Sequence, residues 1–385
     1  MIGEDVMEYR SLDKLNIKTS LLGFGCMRFP VNENGSINEE LAEKMIDKTI
    51  ASGVNYIDTA YPYHNGASEP FVGKVLAKYP RESYFLATKL PMWEVNKAED
   101  VEEIFDKQLV RLNKEYVDFY LLHSMNKGAF DKVKEFKIVE ILEKLRKEGK
   151  IRYIGFSFHD SYEVFEELVN YYNWDFCQIQ LNYVDTLEQA GLKGYKLTEE
   201  KGIPLVIMEP IKGGTLATLP EDVSSIFKDT LPDKSIASWA LRWVGSLPNV
   251  KVILSGMSTY DQVVDNLDTF SNFKALNEAE YACVEKVVEV LNERTKNGCT
   301  NCKYCMPCPA GVDIPGNFWL WNNYYKYNSL SYVGYKYASI QRNNALADVC
   351  VKCGKCENMC PQKIEIRKDL ERVVVDVISK MRKDK

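Results

Sequence analysis

Two cysteine runs near the C-terminus have the residue types and spacing to bind metal. They are Cys299-x-x-Cys302-x-x-Cys305-x-x-Cys308-Pro309 and Cys350-x-x-Cys353-x-x-Cys356-x-x-x-Cys360-Pro361. Thiolates are soft ligands that select iron–sulfur clusters and zinc. Two-residue spacing lets successive thiolates reach adjacent corners of one small cluster. Zinc also accepts four cysteines, but it usually takes two separated Cys-x-x-Cys pairs. Three evenly spaced thiols followed by Cys-Pro, twice over, favour clusters. The other three of the 11 cysteines, Cys26, Cys177 and Cys283, are scattered.

A second set of residues could move protons. Asp58, Lys89 and His123 each close a short apolar run, and Tyr63 follows soon after Asp58. A tyrosine is a poor acid near neutrality, with a reference pKa of about 10. A nearby ammonium favours its ionised form and lowers that pKa. A carboxylate paired with the lysine keeps the ammonium charged and aimed, and a histidine can hydrogen-bond a carbonyl oxygen. Together the four can protonate a carbonyl as hydride arrives at its carbon. His64 and His159 read as loop residues, and Trp93 reads equally as pocket lining or loop packing.

Repeated β and α units must position these residues. Leu41, Met45, Ile46 and Ile50 share a helical face; Gly53 can end that helix, and Val54-Asn55-Tyr56-Ile57 follows. Ile138, Val139, Leu142 and Leu145 repeat the face, Gly149 the stop, and Ile151–Phe156 the strand. With Leu21–Gly25, Tyr84–Thr88, Val117–Leu122, Phe176–Leu181, Ile203–Met208 and Val250–Leu254, the runs number eight. Eight alternating units over roughly 250 residues predict a closed (β/α)₈ TIM barrel, whose active site forms where strands end. The alternative, a doubly wound open sheet, lacks a G-x-G-x-x-G after the first strand. A further helix at about 277–293 would pack outside the barrel, with Cys283 sharing its apolar face with Val287, Val290 and Leu291.

At 385 residues the chain exceeds what one core usually supports. The cysteine distribution places the boundary near 295, giving a barrel domain of residues 1–295 and an iron–sulfur domain of 296–385. Composition is that of an ordinary soluble protein, 45% hydrophobic and 27% charged. A net charge of -6 gives no reason to expect nucleic acid. No apolar stretch is long enough for a bilayer, and Met1–Asp5 lacks a secretory pattern, so a cytoplasmic location is expected. Thiols stay reduced there, and disulfides are not expected. Between the cysteine runs, Phe318, Trp319, Trp321, Tyr324, Tyr325, Tyr327, Tyr332, Tyr335 and Tyr337 suggest a helical insertion that shields the clusters or docks the module, rather than a nucleic-acid stacking platform.

The cysteine module resembles a bacterial-type two-cluster ferredoxin, except that two residues, not three, precede Cys308 in the first run. In such ferredoxins the Cys-Pro cysteine ligates the other cluster. The expected assignment is therefore crossed, with Cys299, Cys302, Cys305 and Cys360 on one [4Fe-4S] cluster and Cys350, Cys353, Cys356 and Cys308 on the other. Asp58-Thr59-Ala60-x-x-Tyr63, Thr88-Lys89 and Leu121-Leu122-His123 resemble the tetrad signatures of the aldo-keto reductases, over about Tyr9 to Phe270. That resemblance implies Tyr63 as general acid/base, Lys89 and Asp58 as its tuners, His123 as the orienting residue, and NADP(H) or NAD(H) across the barrel mouth. It also implies that Ser157 and Gln178 hold the carboxamide, that Pro210, Ile211 and Gly213 pass beside the pyrophosphate, and that Gly256, Ser258, Gln262 and Asn266 enclose the adenosine. Phe158 and His159 stand where the family usually has asparagine next, and Gly256 and Gln262 supply no arginine fork for a 2′-phosphate. The combination looks like an iron–sulfur subfamily found mostly in anaerobes.

The expected function is NAD(P)H-dependent reduction or oxidation of a carbonyl/alcohol pair on a small molecule, with a ferredoxin or flavoprotein as candidate electron partner. An electron-transfer reductase, with a substrate or flavin in the barrel, and a nicotinamide-binding redox sensor are the alternatives. Nicotinamide gives two electrons at once, and each cluster carries one. Either a flavin intervenes, the substrate accepts single electrons, or the clusters are structural.

Overall fold

The structure, a computed structural model, describes residues 6–383. The Met1–Asp5 segment lies outside the described residues. The chain divides into two compact units, Met1–Gly213 with Ala237–Glu278, and Gly214–Ile236 with Ala279–Lys385.

The first unit opens with an antiparallel pair, β1 (Tyr9–Leu12) and β2 (Ile17–Ser20), turned at Asn16 in the left-handed region. Eight parallel strands follow: β3 (Leu22–Gly25), β4 (Tyr56–Asp58), β5 (Phe85–Pro91), β6 (Val117–Met125), β7 (Ile151–Phe158), β8 (Phe176–Gln180), β9 (Leu205–Met208) and β10 (Val250–Ser255). They close into a barrel in chain order, with β10 pairing β3. Each expected strand run coincides with one of these. Leu12, from the antiparallel pair, is buried with Tyr56, Phe119, Phe176, Val206 and Val252 in the barrel's inner cluster. This pair was not expected from sequence, because its short runs carry little alternation.

Helix geometry follows the predicted pattern with one rotation. Ile138, Val139, Leu142 and Leu145 are all buried. In Glu39–Ala51 the buried stripe is Ala42, Met45, Ile46 and Thr49, one step from the Leu41 and Ile50 predicted. Thr49 tolerates burial because its hydroxyl donates to the Met45 carbonyl at 2.7 Å. Gly53, at φ 91, takes a backbone conformation that other residues rarely adopt.

The second unit is helical. Glu278–Glu293 buries Val284, Val287 and Leu291. Cys283, expected on that buried stripe, is only half-buried, and its Sγ lies 3.3 Å from Thr230 Oγ1 in Glu221–Thr230. The inner stripe passes through Val284 instead, at the spacing a helix demands. The aromatic stretch forms Ile314–Tyr327 and Leu330–Arg342. Phe318, Trp321, Tyr324 and Tyr337 are in its core, whereas Tyr335 is 66% exposed. Among the described residues no helix is long and apolar enough to cross a membrane.

Candidate active site and cluster chambers

Asp58 ends β4, Lys89 lies in β5 and His123 in β6, so three neighbouring strands deliver them to one end of the barrel. Tyr63 comes from the loop after β4, where His64 and Asn65 adopt left-handed φ values of 52° and 55°. Lys89 Nζ donates to Asp58 Oδ1 at 2.6 Å and to the Thr59 carbonyl at 2.8 Å. Its ammonium lies 5.2 Å from the Tyr63 ring centroid. The Tyr63 and His123 rings are 6.1 Å apart and nearly perpendicular. Trp93, half-exposed, lies 5.1 Å from His123, which places it at the mouth. His64 Nε2 accepts the Phe29 N–H at 3.2 Å and does not face the tetrad chemistry.

Burial dominates the electrostatics. It opposes the charge on Lys89, but Asp58 and Tyr63 overcome it and hold the ammonium above its usual pKa. Burial likewise raises Tyr63 above the ordinary tyrosine value, outweighing the downward pull of Lys89. The net lowering expected for Tyr63 is thus not found, although Lys89 acts in the expected direction. A phenol that stays protonated is suited to donating a proton. Burial, with Lys89 and then His159, pushes His123 down to about 3. His123 is therefore a neutral hydrogen-bonding group over the physiological range, and its Nδ1 has no partner among the described residues.

That depression has a consequence for stability. Between pH of about 3 and the unfolded value of about 6.5, the unfolded chain binds the extra proton. The contribution is full above the unfolded value and is lost as pH falls toward the folded one. His123→Asn should therefore lose less stability than the wild type between neutral pH and pH 4. Parallel thermal melts would show it; identical pH dependence would count against a depressed His123.

A buried polar network fixes the scaffold of the tetrad. Glu69 Oε1 accepts from Thr88 Oγ1 and Gln108 Nε2, each at 2.7 Å. Gln108 also donates to the Lys89 carbonyl at 3.0 Å and accepts from Tyr120 at 2.7 Å. Arg111 pairs with Glu69 at 3.2 Å and donates to the carbonyls of Tyr61 and Gly66, on either side of Tyr63. These residues were missed in the sequence. The available signal was a glutamate on the inward face of Ser68–Leu76, among Phe71, Val72 and Val75. Glu69→Ala removes the carboxylate that pairs with Arg111 and accepts from Thr88 and Gln108, and is expected to cost about 3 kcal/mol, readable as a lowered denaturant midpoint.

The residues expected at the nucleotide occupy the ends of β7 to β10 and the loops beyond. Ser157 Oγ accepts the Ser124 N–H at 2.7 Å. Gln178 is buried, and its Oε1 has no partner among the described residues. Phe158 turns into the core against Phe165, 5.0 Å between centroids, so its side chain supplies no polar contact at that position. Pro210 is buried, Ile211 half-buried, and Gly213 exposed at φ 63°. Gln262 Oε1 accepts the Ser258 N–H at 2.8 Å, and Asn266 Nδ2 donates to Ser255 Oγ at 2.6 Å. Arg28, missed in the sequence, lies beside Gly256, where an added Cβ would stand 2.8 Å from Arg28 Cγ. It follows Gly25-Cys26-Met27 just after β3, and that position was its only signal.

Two chambers lie within the cysteine module. One is lined by Cys299, Cys302, Cys305 and Cys360 together with Phe318 and Ile366. The other is lined by Cys308, Cys350, Cys353 and Cys356 together with Leu370. Ile314 lines both, so the chambers adjoin. Each cysteine run thus sends its Cys-Pro cysteine to the other run's chamber. Asn301, Lys303 and Lys352 take left-handed φ values in these loops, and the Lys352 N–H points at Cys350 Sγ, 3.4 Å away. Among the described residues, no three His, Cys, Asp or Glu side chains converge on a point as for a single metal ion.

Comparison with known proteins agrees with this architecture. Residues 21–289 match the aldo/keto reductase family, and residues 298–365 match the 4Fe-4S dicluster domain. L-galactose dehydrogenase of Arabidopsis thaliana is 27% identical over 315 residues, covering 76% of this chain and 96% of that protein. The NADH-specific methylglyoxal reductase of Escherichia coli is 26% identical over 301 residues, covering 67% and 90%. The holo aldo-keto reductase AKR11C1 of Bacillus halodurans superposes with a TM-score of 0.62 at 28% identity, covering 73% of this chain and 96% of that one. A closed eight-stranded barrel with this match over most of its length, followed by a dicluster module, makes the chain a member of the aldo/keto reductase family.

Proposed function

We propose that this oxidoreductase interconverts a carbonyl and an alcohol with NAD(P)H in its barrel, and holds two [4Fe-4S] clusters in its cysteine module. The observation that carries the first part is the array of Tyr63, Lys89, Asp58 and His123 at the strand ends. Bound nicotinamide supplies the hydride. Tyr63 donates the proton to the carbonyl oxygen, Lys89 stabilises the phenolate left behind, and Asp58 keeps Lys89 charged and aimed. His123, neutral, orients the oxygen.

The orphaned Gln178 Oε1 suits an amide donor such as the carboxamide, and Ser157 retains a hydroxyl proton to give. Gly213 leaves room for the cofactor's backbone, and Gly256 lets the Arg28 side chain pack against it, which puts a cation beside both glycines. Ser258, Gln262 and Asn266 form the adenosine end. Carbonyls of the kind named in the relatives, methylglyoxal first, are the substrates to screen, along with oxidation of L-galactose. Absorbance loss of NADH or NADPH on carbonyl addition tests this reading, and inactivity of both cofactors across aldehydes, ketones and the reverse alcohols would refute it.

Four thiols around each chamber suit the corners of a four-iron cube, whereas zinc draws its ligands onto one point. The crossed set is accordingly Cys299, Cys302, Cys305 and Cys360 on one cluster and Cys350, Cys353, Cys356 and Cys308 on the other. The clusters carry single electrons. These chambers favour, as a second reading, an enzyme in which electrons from a carrier protein reach the barrel's substrate.

A further inference from the structure

We infer that the cysteine loops form a docking surface for a small acidic one-electron carrier protein. The inference rests on the cluster reading above and names the partner of that module.

Charge is divided unevenly along the chain. Residues 296–385 hold 15 Lys and Arg against 8 Asp and Glu, a net of +7, which leaves -13 for residues 1–295. A [4Fe-4S] core with four thiolates carries about two negative charges when oxidised, so two clusters neutralise only part of that excess. The positive charge is not there solely to balance the clusters.

Part of the excess, Lys303, Lys352, Lys355 and Lys363 against Glu357, stands where electrons would enter. Cys302 and Cys353 are the exposed cysteines, one for each chamber. Lys303 follows Cys302 and lines the first chamber; Lys355 stands between Cys353 and Cys356; Lys363 follows Cys360-Pro361-Gln362, whose residues also line the first chamber. All three lysines are exposed, and none forms an ion pair among the described residues. The one acid within the two cysteine runs, Glu357, is already taken by Arg367 at 2.7 Å.

Apolar side chains interrupt this basic rim. Tyr304 is 64% exposed, Val351 67% and Met359 57%. Each is next to a cluster cysteine or a loop lysine in sequence. Unpaired cations around exposed apolar groups provide both steering and a dry contact, as transient redox complexes require. The partner must then present acidic groups around its own redox centre. Screening over about 8 Å at physiological salt lets this local patch act despite the chain's negative total.

In the step proposed, one electron passes from the reduced carrier to one cluster: the carrier is oxidised, the cluster core goes from the 2+ to the 1+ state, and no proton moves. Two such events charge both clusters.

The probe is a plant-type ferredoxin, small, acidic and of low potential, reduced beforehand and mixed anaerobically with the full-length holoprotein. Cluster bleaching gives the second-order rate. The triple variant Lys303→Glu/Lys355→Glu/Lys363→Glu should react at least tenfold more slowly at low salt, and the difference should vanish at high salt. Reduced methyl viologen, which needs no docking, should bleach both proteins at similar rates. These lysines are not placed in the barrel chemistry, so carbonyl turnover with NAD(P)H should be unchanged. A ferredoxin rate that ignores salt, or a variant that reacts as fast as or faster than wild type, would overturn the docking surface. Absence of iron and sulfide from the protein would instead refute the cluster reading and the docking with it.

Discussion

Tyr63→Phe should lower NAD(P)H-dependent carbonyl turnover by roughly 10²–10⁴-fold, with little change in nicotinamide affinity. The substitution removes one hydroxyl and keeps the ring that lies beside Lys89 and His123. It leaves the Lys89–Asp58 pair intact, which matters because both are almost wholly buried. Lys89→Met would mix two effects: loss of the ammonium that stabilises the phenolate, and a buried, unpaired Asp58. Tyr63→Phe therefore isolates the proton transfer. Steady-state kcat should fall while the Kd for the reduced cofactor, read by fluorescence quenching, stays near wild type. Because burial holds Tyr63 protonated above the ordinary tyrosine value, the reduction should not need acid conditions. Alcohol oxidation needs the phenolate and should accelerate toward high pH. Unchanged kcat in the variant would remove Tyr63 from the chemistry.

The second large effect concerns which cysteines share a cluster. In the crossed arrangement Cys299 and Cys360 lie on one chamber, and Cys299 and Cys308 on different ones. The double variant Cys299→Ala/Cys360→Ala should lose one cluster, halving iron and acid-labile sulfide. Cys299→Ala/Cys308→Ala should lose both. Uncrossed ligation reverses the two outcomes, so metal analysis of the pair decides between them. Cluster loss should also destabilise the module, since Ile314, Phe318, Ile366 and Leu370 line the chambers as well as packing in the module's core, and would lose the contacts the clusters supply. A low-temperature melting transition in the second variant would report it.

How much of this was legible beforehand depends on whether a signal is local. The eight strands were visible because each is a short apolar run, several of them following a helix stop, as Gly53 and Gly149 show. Strand ends then pointed to Asp58, Lys89 and His123 without any knowledge of their contacts. Cysteine spacing grouped Cys299, Cys302 and Cys305, and Cys350, Cys353 and Cys356, for the same reason, whereas the crossing of Cys308 and Cys360 came from the resemblance to two-cluster ferredoxins. What escaped was long-range. Glu69, Gln108 and Arg111 come from two helices and meet only once the barrel closes. Leu12 reaches the barrel's inner cluster through a turn at Asn16 that no periodicity announces. The direction of Tyr63's shift escaped as well. Proximity to a lysine suggested lowering, whereas the depth of burial, a property of the whole fold, set the sign.

The central claim is that the barrel transfers hydride directly, with Tyr63 supplying the proton, although one-electron centres share the chain. Isotopic labelling tests it most directly. The holoprotein would be given methylglyoxal, or whichever carbonyl the screen identifies, with nicotinamide cofactor deuterated at C4 on one face and then on the other. Direct transfer predicts that one of the two labelled cofactors delivers deuterium to the carbon-bound position of the product alcohol, in a reaction that Tyr63→Phe suppresses. Product formed without label from either cofactor, at a rate set by cluster reduction, would contradict the account.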